Sequence, residues 1–126
     1  MSERTYSAVV KDSSRELTAK EKVMMKDTSD CVMLNDEAEK GALLIDPEFW
    51  CTVAVHNEKS DNKDYDVYII VDKNGTKYKT SSENFMNSFE DIMADMSDST
   101  EPFQIKVYVL PSKNRSGQTF LTCSLI

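Results

Sequence analysis

Glycine, proline, cysteine and histidine are all scarce in this 126-residue chain: three glycines, three prolines, three cysteines and one histidine. Three glycines leave no room for a phosphate-cradling glycine-rich loop, and G-x-x-x-x-G-K-[ST], H-E-x-x-H and G-x-S-x-G are all absent. Cys31, Cys51 and Cys123 are widely spaced, and no pair has C-x-x-C spacing. That argues against a zinc site or a redox dithiol and for free thiols in a reducing cytoplasm. No apolar run approaches the roughly 20 residues of a membrane span, and no signal-peptide pattern opens the chain, so no membrane partner is expected.

A single histidine means that any Ser-His-Asp or Cys-His site would have to use His56. It falls at the end of a strand pattern with no recognisable catalytic partner, so no enzyme activity is expected. Asp61, Asp64 and Asp66 alternate in a polar loop but lack the glycine and the remaining ligands of an EF-hand. Neither metal nor cofactor is expected.

What the chain does have is sorted charge. The formal net charge is −7, which excludes a uniformly basic nucleic-acid binder. Residues 1–72 carry all of that excess. Residues 73–82 contain three lysines and no acid, residues 83–102 six acids and no base, and residues 103–126 two lysines, one arginine and no acid. Basic patches on an acidic protein are therefore expected.

The hydropathy pattern reads as mainly β with one or two short helices. Trp50–His56, Val67–Val71, Phe103–Leu110 and Phe120–Leu125 alternate with period two. Asn74-Gly75 predicts a hairpin, because that pair tolerates the positive φ of the favoured turns. Thr18 and Glu21 have capping-box spacing before a weak helix over Ala19–Lys26, with Val23, Met24 and Met25 as its apolar edge. Thr80 and Glu83 repeat the spacing before a helix over 82–96, whose stripe is Phe85, Phe89, Ile92, Met93 and Met96. Residues 35–41 read as an acidic loop.

Six strands, with the 82–96 helix before the last two, fit an OB-like β-barrel if one early strand is an edge addition. The helix then lies between strands three and four of the barrel. One domain spans 1–126, with residues 1–45 as an N-terminal arm or an extra strand plus short helix.

If Val67, Ile69 and Val71 face the core, Tyr68 faces out. The same alternation turns Lys106, Tyr108 and Phe120 outward and sends Tyr78 into the core, opposite Lys77 and Lys79. Lys63 lies in the long middle loop, Lys73 in the hairpin turn, and Lys113 and Arg115 in the last loop. Single-stranded nucleic acid needs positive charge for its phosphates and flat rings for its bases. Without the core-facing Tyr78, these ten residues are the candidate nucleic-acid-binding set.

Several stretches resemble small phage or prophage proteins of Gram-positive hosts, described as single-stranded DNA-binding proteins. They are Val55-His56-Asn57-Glu58-Lys59-Ser60, Asp72-Lys73-Asn74-Gly75-Thr76-Lys77-Tyr78, Thr80-Ser81-Ser82-Glu83-Asn84-Phe85, Ser88-Phe89-Glu90-Asp91-Ile92 and Leu110-Pro111-Ser112-Lys113-Asn114-Arg115. The resemblance covers roughly residues 50–126, with a weaker echo in Glu16–Asp27. It implies an OB-type barrel, sequence-tolerant binding of single-stranded DNA in phage DNA replication or recombination, and no catalysis. Location in the host cytoplasm follows from it. RNA in place of DNA, and homo-oligomerisation, stay open. Housekeeping bacterial single-strand binders end in an acidic tail, whereas this sequence ends in Leu125-Ile126, so recruitment of partners through such a tail is not expected. The alternative is a phage-encoded module that inhibits a host defence or nucleic-acid enzyme through an acidic surface.

Overall fold

The structure, a computed structural model, describes residues 6–112 and 117–126. It is mainly β, with two sheets and three helices among those residues. The larger sheet runs β1 (Tyr6–Ser13), β4 (Pro47–Asn57), β5 (Asp64–Asp72), β6 (Lys77–Thr80) and β2 (Val32–Met33) in spatial order. Its pairs are antiparallel except β2 with β6. The smaller sheet is β3 (Leu43–Ile45), β7 (Ile105–Pro111) and β8 (Thr119–Leu125), antiparallel throughout. Among the described residues no ladder joins the two sheets, so the expected barrel is not closed. Residues 6–45 are not a free arm. Their strands extend both sheets.

Helix α1 (Ala19–Lys26) starts at the expected capping box: Thr18 accepts from the Glu21 N–H, and the Glu21 carboxylate accepts from the Thr18 N–H. Only Met25 of its expected apolar edge is buried. Val23 and Met24 are exposed, because consecutive residues point about 100° apart around a helix and only Met25 faces the sheet. Helix α2 (Leu34–Lys40) occupies the stretch read as an acidic loop. It has no side-chain cap to announce it. Burial of Leu34 and Ala38 holds it in place, and packing overrides weak local signals in this way.

Helix α3 (Glu83–Met96) is capped by Ser82, whose hydroxyl accepts from the Phe85 N–H, and not by Thr80. The Thr80 hydroxyl instead accepts from the Ser82 N–H and donates to Asn35. The β5–β6 turn forms as expected, but only Gly75 takes positive φ (+94°). Asn74 contributes its side chain, which accepts from the Thr76 N–H at 2.9 Å. The buried Asp72 carboxylate accepts from the N–H groups of Asn74 and Asp46, tying the turn to the end of β3.

The larger sheet is buried on both faces, so two cores exist. Cys51, Val53, Val55, Ile69 and Val71 pack with Leu17 and Met25 beneath α1. On the other face Ile70 and Tyr78 join Phe85, Met86 and Phe89 of α3 and Ile105, Val107 and Leu121 of the smaller sheet. Phe89 is fully buried and meets Trp50 edge-on, 5.1 Å between centroids at 86°. Each large apolar side chain so buried stabilises the fold by roughly 1.5–3 kcal/mol.

Candidate nucleic-acid interface

The ten candidate residues do not converge as one set. Three of them do. On the smaller sheet Ile105, Val107, Leu121 and Cys123 point into the core, so the residues between them point outward. Strand pairing sets Leu44, Lys106 and Ser124 in one row, Tyr108 opposite Thr122, and Leu110 opposite Phe120. Phe120 is 47% exposed, Leu44 47% and Leu110 40%. The Lys106 ammonium lies 5.3 Å from the Tyr108 ring centroid, a cation–π contact that keeps the ring upright beside a positive charge. None of these outward residues is acidic. Lys113 and Arg115 lie outside the described residues, in the segment joining β7 to β8.

Leu44 and Leu110 were not singled out from the sequence. Leu110 shares the alternation of Lys106 and Tyr108 and was open to the same reasoning. Leu44 was not, because a three-residue strand has no period to detect.

The other candidates sit elsewhere. Lys77 is a correction: it is buried, 7% exposed, on the face of β6 beneath α1. Its ammonium donates to the carbonyls of Met24 and Asp27 at 2.8 and 2.9 Å and pairs with Asp30 at 2.6 Å. It ties the end of α1 to the sheet and has no donor left for a phosphate. Lys79, half-buried on the same face, donates to the Thr28 carbonyl.

Tyr68 is a second correction. It is half-buried against the α3 core, because the face opposite Val67 and Ile69 is not solvent but the second core. Burial, then Glu83 and Asp66, push its phenol pKa up. Those surroundings repel a phosphate. Tyr78, by contrast, is in that core as its alternation required. Lys63 pairs with Glu58 at 3.2 Å in the loop between β4 and β5. Lys73 is exposed at a cleft of about 440 Å³ lined also by Trp50, Met93, Met96 and Phe103. Its N–H donates to the carbonyl of Asp46, the residue after β3, placing it beside the Ile45–Ile105 end of the smaller sheet.

Among the described residues the titratable groups show no poised nucleophile. Burial raises the thiols of Cys51 and Cys123 to about 11, far from a thiolate at neutral pH. His56 carries a carboxylate on each ring nitrogen, Asp64 on Nδ1 and Glu58 on Nε2, both at 2.7 Å. These bonds, that to Asp64 first, raise its pKa and favour the imidazolium. With both nitrogens engaged, neither is free to act as a base. No group of three or more metal-ligating side chains occurs among the described residues. Among the described residues no helix is long and apolar enough to cross a membrane. Comparison with protein-family models, curated proteins and solved structures gives no match.

Proposed function

We propose that the protein is a non-catalytic, sequence-tolerant single-stranded DNA-binding protein acting in phage DNA replication or recombination. The observation that carries this reading is the outer face of β7 and β8. Two rings, Tyr108 and Phe120, stand with Lys106 on an acid-free surface otherwise lined by leucine, threonine and serine. Rings stack on any base and lysine meets any phosphate, so such a face is indifferent to sequence. The fold is taken in this reading as an OB-type barrel opened between its two sheets, with α3 between the β5–β6 and β7–β8 hairpins. The site is then Lys106, Tyr108 and Phe120, with Lys73 beyond the Ile45–Ile105 end of the sheet; Lys113 and Arg115, expected in it from the sequence, lie outside the described residues. The protein acts in the host cytoplasm, and RNA competes with DNA for the same rings.

Fluorescence titration with oligo-dT tests the reading. Binding is expected to weaken steeply as salt is added. Tyr108→Ala and Phe120→Ala are each expected to weaken it by about 1–3 kcal/mol with the fold intact. Absence of binding even at low salt would refute the proposal.

A second reading has its own observation. Glu83, Glu90 and Asp91 are exposed on α3, and Glu90 shares a pocket with Asp12 and Thr52. Burial first, and then the nearby Asp12 and Asp91 carboxylates, raise the Glu90 pKa. This surface suits the basic cleft of a host defence or nucleic-acid enzyme. Capture of such an enzyme from host lysate after nuclease treatment, lost when Glu90 and Asp91 become Lys, would favour it.

A further inference from the structure

Four strand edges bound the two sheets among the described residues, and three are guarded. A bulge interrupts β1 between Val10 and Asp12, where Lys11 pairs with Asp66 at 2.7 Å. β2 has two residues and β3 three. Bulges, charges and shortness are the devices that keep a sheet edge from recruiting another strand. β8 has none of these three; α3 packs against it, but the backbone groups on its outer edge find no hydrogen-bond partner among the described residues. Its seven residues, Thr119–Leu125, contain no charge and no proline, and pair with β7 without a register shift.

The hydrogen-bond phase shows what that edge offers. Gln104 and Ile126 exchange both backbone bonds, at 3.1 and 3.0 Å, and Ser112 donates to Gln118 at 2.8 Å. Alternate residues along an antiparallel strand bond to the same neighbour. Phe120, Thr122 and Ser124 therefore face β7 with their N–H and C=O groups. Thr119, Leu121, Cys123 and Leu125 turn theirs to the free edge.

We propose that β8 pairs antiparallel with β8 of a second copy of this chain, about a two-fold axis at Thr122. The four outward-bonding residues are symmetric about Thr122. Thr119 then meets the partner subunit's Leu125, and Leu121 meets the partner subunit's Cys123, each as a doubly hydrogen-bonded pair. The edge complements itself, as an isologous interface requires. An uncharged strand lets two copies of a −7 chain approach without repulsion at the contact. Phe120, 47% exposed, and Leu125, 42% exposed, lose water on pairing. The result is one six-stranded sheet carrying two Lys106–Tyr108–Phe120 faces side by side. Nothing in the pairing depends on DNA, so it stands or fails independently of the proposed function.

Light scattering should give twice the 14.3 kDa of one chain. Amide exchange of Leu121 and Cys123 should slow by at least about tenfold on going from dilute to concentrated protein, because their N–H groups gain a hydrogen-bond partner only on pairing. Thr122→Lys and Thr122→Glu each put like-charged side chains on Cβ atoms about 4.5–5.5 Å apart at the axis. Each should therefore run as a single copy, and an equimolar mixture should recover the double mass. Where circular dichroism shows either variant unfolded, Thr119→Pro, which deletes an outward N–H, takes its place and should lower the mass. A single-copy mass at all concentrations would overturn the proposal. So would a double mass that survives these substitutions, or exchange at Leu121 and Cys123 independent of concentration.

Discussion

The two sheets use the same alternation to opposite ends. On the larger sheet both sides are covered, α1 on one and α3 on the other, so Tyr68 and Lys77 are enclosed. On the smaller sheet one side meets α3 and the other meets nothing among the described residues, so Tyr108 and Phe120 stand outside. A ring or a lysine opposite a core-facing residue is therefore a surface group only where the sheet has one covered face.

Truncating a ring on each side of the smaller sheet gives the largest contrast. Phe89→Ala should destabilise by about 3–5 kcal/mol in urea unfolding, since the ring is fully buried between the sheets. Phe120→Ala, measured in dilute single-copy protein, should change stability by no more than about 0.5 kcal/mol. Equal effects would erase the distinction between inner and outer faces.

The lysines give the next contrast. Lys77→Ala leaves the Met24 and Asp27 carbonyls without their donor and should cost about 1–3 kcal/mol by thermal unfolding. Lys106→Ala should leave stability nearly unchanged. In oligo-dT titrations it should reduce the slope of log K against log salt by about 0.7. A stability loss at Lys106 as large as at Lys77 would mean that the smaller sheet is also covered.

His56 should give the smallest effect. Its pKa is raised in the folded state, so its contribution to stability is full below about 6.5, its ordinary value. The contribution fades as pH climbs through the higher folded value. His56→Gln should flatten the stability profile in that window only, as followed by unfolding from pH 5 to 9. The wild type should therefore exceed His56→Gln in stability at acid pH and the two should converge as pH rises, and equal stability at pH 5 would contradict the contacts with Asp64 and Glu58.

What was legible in the sequence is what local rules govern. Thr18 and Glu21 announced α1, Asn74-Gly75 the β5–β6 turn, and Phe85 and Phe89 the buried stripe of α3. Lys106, Tyr108 and Phe120 followed from alternation on a sheet with one covered face. Tyr68, Lys77 and α2 were not legible, because their positions are decided by elements distant in sequence. Lys77 lies 50 residues from the Asp27 carbonyl it holds. Leu34 reaches its core through tertiary packing with no cap to mark it.

Lys77 also turns the chain into its own gauge of motion. Amines acylate only as free bases in contact with reagent, and this one is sealed beneath α1 while Lys73 and Lys63 lie open nearby in sequence. Its labelling rate, set against theirs, times the lifting of α1 from the sheet with no substitution in the chain.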